Sequence, residues 1–161
     1  MPAAPPSFYR AETLVPENAI GLLMKRVLQS VLWQVDHALQ PHDLTHAQWI
    51  PLYWLARGGG STVAELARDA TLDPGATTRA LDRLEAKSLV RRVRSSQDRR
   101  VVQIELTDAG RAAAALVPAV LCEVLNAHLA GFTQGEWQQL IALLQRMVAN
   151  GAALREAREA A

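Results

Sequence analysis

"RRVRSSQDRRVVQIELTDAG", residues 91–110, sets five arginines around two serines, a glutamine and an aspartate and then runs into alternating apolar residues. The period is two on both sides of the polar segment. Residues 90–93 and 101–106 read as two strands, with Val102, Ile104 and Leu106 on one face and Gln103 and Glu105 on the other. Between them RSSQDR forms a polar hairpin tip. The charge is concentrated here and just upstream: residues 79–100 carry eight basic residues against three acidic ones, a local +5 in a chain of net charge +1, which leaves −4 elsewhere. One face is thus suited to a polyanion. The plainer reading of such a run is a solvated charged face, and the segments around it decide between the two.

Upstream, Asp73 as N-cap with Pro74 at the first helical position marks a helix start within TLDPGATTRALDRLEAKSLV. Leu81 and Leu84, with Thr77 and Ala80 a turn earlier, point inward; Gly75, Ala76, Thr78, Arg79 and Arg83 face out. A shorter helix precedes it, opened by the Thr62/Glu65 capping box and buried through Val63, Leu66 and Ala67. Two short helices joined by a turn at residues 70–72, the second with small and basic residues on its open face, match a helix-turn-helix.

Further out, Asn18 is expected to cap a long helix with a wide apolar face at Ile20, Leu23, Met24, Val27, Leu28, Val31, Leu32, Val35 and Leu39, ended by Pro41. Thr45 and Gln48 form a capping box for a second helix through Trp49, Leu52, Tyr53 and Leu55. Pro51 should kink that helix or mark its proper start, and Gly58–Gly60 stops it. Thr107 opens a long helix that Pro118 should bend, and Thr133 with Glu136 caps the last, through Trp137, Leu140, Ile141, Leu144 and Val148. Apolar faces this wide at both ends of a 161-residue chain are hard to cover within one subunit but easy to cover across a two-fold axis.

The totals agree with a globular protein of about one domain. MPAAPPSFYR lacks the apolar core of a signal peptide, the apolar runs are broken by Lys25, Arg26, Pro118 and Glu123 before a membrane span is reached, and Cys122 is the only cysteine. A cytoplasmic location is expected. No activated Ser/His/Asp set, glycine-rich phosphate loop or acid/base pair is present, so an enzyme is not expected.

The elements in this order, with LDRLEAKSLVRR and DRRVVQIELTDAGR, resemble the MarR family of bacterial transcription regulators, which has a "DRLE…GLV" helix end and a "D-x-R…LT…G" wing and helix start. The resemblance runs from about residue 18 to residue 149. Ser88 departs from it, standing where the family usually has glycine. The resemblance implies a mainly α (α+β) fold, a winged helix-turn-helix with a helical dimerisation region formed by the N- and C-terminal helices. Its expected divisions are a flexible arm (1–17), a dimerisation helix (18–41), the DNA-binding domain (42–106), C-terminal dimerisation helices (107–150) and a fraying tail (151–161). The expected partners are a second copy of the chain and double-stranded DNA with a pseudo-palindromic operator.

On this reading the Asp73 helix lies in the major groove. Gly75 and Ala76 allow close backbone approach, Thr78 reaches a base edge or phosphate, Arg79 offers a guanine two parallel donors, and Arg83 holds a phosphate. Arg79 has a competing partner in Asp82. Thr62 is a further phosphate contact. Arg100, matching the arginine of the family's D-x-R, inserts into the minor groove, with Asp98 accepting hydrogen bonds that fix the tip. Arg94, Arg99, Ser95 and Ser96 add phosphate contacts.

The family commonly senses small aromatic or phenolic anions, or oxidants. Trp33, His37, His46, Trp49 and Tyr53 are the candidate effector residues, although tryptophans at helical spacing are more often core or interface. No cofactor is expected. His37, His42 and His46 straddle Pro41 without firmly spaced carboxylates, so capping or solvated histidines are favoured over a metal site. A repressor released by such an effector is the leading expectation. The alternatives are a redox-responsive regulator acting through Cys122 and a protein-interaction module on the same fold.

Overall fold

The computed structural model describes residues 6–95, 98 and 100–160. The elements run α1 (Ile20–Leu39), α2 (His46–Ala56), α3 (Val63–Asp69), α4 (Pro74–Ala86), β1 (Val90–Arg94), β2 (Val102–Leu106), α5 (Asp108–His128) and α6 (Gln134–Glu159), with short 3-10 turns at Pro16–Asn18 and Gln40–His42. The fold is mainly α with one β-hairpin, whose register sets Val90 opposite Leu106, Arg92 opposite Ile104 and Arg94 opposite Val102.

The chain forms two units, Met1–Val124 and Leu125–Ala161. In the first, Val31, Val35 and Leu39 line one stripe of α1 at i, i+4 spacing and are buried together with Leu52, Leu66, Leu81, Leu84, Ile104 and Val117. Burying each such side chain stabilises the unit by about 1.5–3 kcal/mol. The other half of the α1 pattern behaves differently: Ile20, Leu23, Met24, Val27 and Leu28 stay exposed. In the second unit no described residue of α6 is buried, and Trp137, Ile141, Leu143, Met147, Val148 and Leu154 are exposed. No helix among the described residues is long and apolar enough to cross a membrane.

The expected caps hold α3, α4 and α6. Thr62 Oγ1 accepts from Glu65 N, Asp73 Oδ1 from Ala76 N, and Thr133 Oγ1 from Glu136 N. The start of α1 differs from expectation. Asn18 ends the 3-10 turn that precedes the helix, so Ala19 occupies the cap position, and the Tyr9 hydroxyl serves the helix start by accepting from Ile20 N at 3.1 Å while donating to the Asn18 carbonyl at 2.9 Å. Part of the expected arm is therefore hydrogen-bonded, including a turn in which Thr13 N and Leu14 N both donate to the Arg10 carbonyl. Pro51 lies inside α2, not at its beginning, and is buried. At the other end α6 continues through Glu159, past the expected tail boundary at 150. Residues 152–160 are alanine, leucine, arginine and glutamate, all strong helix formers.

Candidate nucleic-acid interface

Backbone turns with little freedom hold α3, α4 and the hairpin together. Leu72 N donates to the Ala67 carbonyl at 2.7 Å across the α3–α4 turn, where Thr71 takes a left-handed φ of 54°. Ser88, after α4, takes φ 57°, a conformation that glycine adopts without steric cost and that strains serine. The departure noted at Ser88 thus falls where a glycine would relieve strain. Beyond the hairpin, the Thr107 hydroxyl donates toward the Ser88 carbonyl at 2.8 Å and accepts from Gly110 N at 3.0 Å, and Thr107 N donates to the Leu89 carbonyl. Gly110 sits so close to that carbonyl that no side chain fits. On the other edge of the sheet, Ile104 N donates to the Ser61 carbonyl at 2.6 Å, joining β2 to the start of α3.

The local cations separate into two groups. Lys87 is engaged by Asp43, just past the Gln40–His42 turn, and by Gln48 in the first turn of α2, Arg91 by Glu105 across the hairpin at 2.7 Å, and Arg92 by Asp82 and Glu85 of α4. The hydrogen bond that Arg92 donates to Asp82, with Glu85 beside it, holds the pKa of the Arg92 guanidinium above its ordinary value. Arg79, Arg83, Arg94 and Arg100 are exposed, and among the described residues none has an ion-pair partner. Asp82, the expected competitor for Arg79, is held by Arg92 instead.

Gly75, Ala76 and Thr78 lie exposed at the start of α4, and the Thr78 hydroxyl donates to the Pro74 carbonyl, which leaves its oxygen able to accept. Thr62 is the α3 N-cap. Its partner Glu65 takes amide hydrogens from Thr62 and Ser61, both at 2.9 Å, and these together with the Thr62 hydroxyl hold the Glu65 carboxyl below the ordinary glutamate range. At the hairpin tip Asp98 Oδ1 accepts from Arg100 N at 2.9 Å, the Asp98 carbonyl accepts from Val101 N, and Asp98 N donates toward Ser95 Oγ at 3.4 Å. The aspartate thus anchors the backbone of the arginine two residues on. Ser96 and Arg99 lie outside the described residues.

The five candidate effector residues do not converge on one cleft. Trp49 is core, 6% exposed, and its indole N–H donates to Asp36 at 3.2 Å; His46 lies against the same carboxylate at 3.3 Å. Trp33 stacks on His37 with ring centroids 5.5 Å apart, beside a hollow of about 320 Å³ that also touches Asp36 and Asp43. Tyr53, with the Arg57 guanidinium 5.6 Å from its ring centre, lines a separate cavity of about 590 Å³ together with Arg91, Glu105, Arg111 and Pro118. The sequence reading missed Arg57, Arg91 and Arg111 there because they are far apart in the chain. Cys122 is exposed on α5, and among the described residues no three His, Cys, Asp or Glu side chains are grouped to hold a metal ion.

A family model described as "MarR family" matches residues 44–102, the span from the start of α2 into β2. The HTH-type transcriptional regulator YwhA of Bacillus subtilis is 29% identical over 130 residues, which cover 81% of this chain and 93% of YwhA. The crystal structure of reduced MarR from E. coli superposes with a TM-score of 0.71 at 29% identity, covering 80% of this chain and 96% of that one. The Mycobacterium tuberculosis MarR family protein Rv2887, in complex with salicylic acid, superposes with a TM-score of 0.65 at 31% identity, with coverage of 80% and 96%. The chain belongs to the MarR family and is a DNA-binding transcriptional regulator, not an enzyme.

Proposed function

We propose that this regulator is a cytoplasmic homodimeric repressor that binds a pseudo-palindromic operator and leaves it when a small aromatic or phenolic anion binds. The observation that carries the DNA part is the separation of the cations: Arg79 and Arg83 on α4 and Arg94 and Arg100 on the hairpin have no ion-pair partner among the described residues, while Lys87, Arg91 and Arg92 are engaged by carboxylates. Guanidiniums without a carboxylate partner are available to phosphates and guanine edges. In this reading α4 enters the major groove with Gly75, Ala76 and Thr78 at its leading end, Thr62 and Ser95 meet phosphate, and Arg100, held by Asp98, enters the minor groove. A second copy of the chain would cover the exposed apolar residues of α1 and α6.

For the effector, the 590 Å³ cavity is favoured over the Trp33/His37 hollow. Its size suits a small ligand, and its wall carries Arg57, which has no ion-pair partner among the described residues, beside Arg91 paired with Glu105 and Arg111 paired with Asp108, so its net positive charge suits an anion. Arg91 and Glu105 belong to the hairpin strands, so a ligand there would bear on the wing. The test is fluorescence anisotropy with a labelled duplex from the DNA flanking the coding region, followed by titration of salicylate. Saturable binding at low salt that salicylate reverses is expected. Binding that salicylate leaves unchanged would remove the effector proposal, and no binding to any duplex would remove the whole reading.

A further inference from the structure

Three hydrogen bonds tie the first strand of the hairpin to α4, and all three come from Arg92. Its Nη2 donates to Asp82 Oδ1 at 2.6 Å, its Nη1 to Glu85 Oε2 at 2.5 Å, and its backbone N–H to Glu85 Oε1 at 3.1 Å. Asp82 and Glu85 are three residues apart, so they share a face of α4, and the planar fork of one guanidinium spans both. The Arg92 side chain is 30% exposed against 66% for its neighbour Arg91, so this network is better shielded from solvent than the Arg91–Glu105 pair.

The same network bears on Arg79. Asp82 lies three residues beyond Arg79, the spacing at which oppositely charged side chains meet on a helix surface. With Asp82 held from the hairpin side, Arg79 has no acidic partner among the described residues.

We propose that Arg92 is a positioning residue of the DNA-binding surface: by clamping Asp82 and Glu85 it sets the wing against α4 and keeps Arg79 free, and it does not itself contact phosphate. This rests on the reading that α4 and the wing meet DNA. The clamp and a simple count of charges predict opposite signs. Removing both carboxylates deletes two negative charges per protomer, so electrostatics alone would tighten binding to every duplex. Under the clamp the same change releases the wing, and operator binding weakens.

The experiment measures anisotropy for the full chain on an operator duplex selected by the wild type and on a scrambled duplex of equal length, over a salt series. The variants are Arg92→Gln, Arg92→Lys and the double substitution Asp82→Ala with Glu85→Ala. Arg92→Gln is expected to lose about 10- to 100-fold on the operator, the scale of loss when a hydrogen-bonded group is left without its partner, with the slope of log K against log salt unchanged. The double variant is expected to lose about tenfold on the operator while keeping or gaining affinity for the scrambled duplex. Arg92→Lys, which keeps the charge but not the fork, should fall between Arg92→Gln and the wild type.

A slope for Arg92→Gln shallower by about 0.9 per protomer would make Arg92 a phosphate ligand and overturn the proposal. Tighter operator binding by the double variant at an unchanged operator-to-scrambled ratio would overturn it too, as would wild-type behaviour throughout. If Arg92→Gln fails to fold, the double variant decides, since alanine on a helix is well tolerated. Failure of the wild type to bind any duplex would instead refute the underlying placement of α4 and the wing on DNA.

Discussion

Replacing Gly110 by alanine should loosen the joint between the hairpin and α5. A Cβ built there lies 1.8 Å from the Leu89 carbonyl oxygen. Since carbon and oxygen approach to about 3.3 Å even in favourable contacts, one backbone must retreat by about 1.5 Å. The oxygen in question accepts from Thr107 N at 3.1 Å and lies 3.2 Å from the Thr107 hydroxyl, so its displacement endangers these contacts at about 1 kcal/mol each. Steric overpacking adds about 1–3 kcal/mol. The expected loss is therefore about 2–5 kcal/mol, which for a chain of this size lowers Tm by roughly 5–15 °C. Circular dichroism melts at one fixed protein concentration measure it. Gly135→Ala is the control, because nothing lies within 4 Å of the added carbon and its backbone is helical; it should leave Tm unchanged or raise it slightly. A Gly110→Ala melt within 2 °C of wild type would refute the steric reasoning.

Three other substitutions probe separate parts of the account. Ser88→Gly should stabilise the protein by about 1 kcal/mol, because φ 57° strains serine and not glycine; a lower denaturation midpoint would contradict that. Glu65 has a folded-state pKa below its ordinary 4.5, so its stabilising effect is fully present above that value and is lost as pH falls through the lowered one. Glu65→Gln should accordingly be less stable than wild type at pH 7, with the gap closing in acid, and a constant gap down to pH 2 would exclude the linkage. Arg100→Ala should weaken operator binding by about 1–3 kcal/mol while leaving the sedimentation coefficient unchanged, the scale of loss expected for one specific contact. Wild-type anisotropy for that variant would remove Arg100 from the interface.

Much of the fold was legible because its signals are local. Asp73 followed by Pro74, and the Thr62/Glu65 and Thr133/Glu136 pairs, act within one turn and hold in the structure. The period-two pattern after Val90 likewise needed no tertiary information. What was missed depends on contacts across the chain. The Tyr9 hydroxyl reaches Ile20 from eleven residues away, so Asn18 looked like the better cap. Trp49 reads as a candidate ligand contact until its burial and its bond to Asp36 are seen. The arginines show the same limit: Arg91 and Arg92 are indistinguishable from Arg94 by composition, yet carboxylates seven to fourteen residues distant engage the first two.

The arginines of α4 and the hairpin that have no ion-pair partner among the described residues would meet the DNA polyanion from two protomers at once. Four arginines per chain, Arg79, Arg83, Arg94 and Arg100, make eight in a dimer, which predicts a slope of log K against log salt of about −7. Between 50 and 200 mM salt the operator affinity should then fall by about 10⁴-fold. A slope near zero, measured by anisotropy on a duplex that the protein binds, would contradict the account.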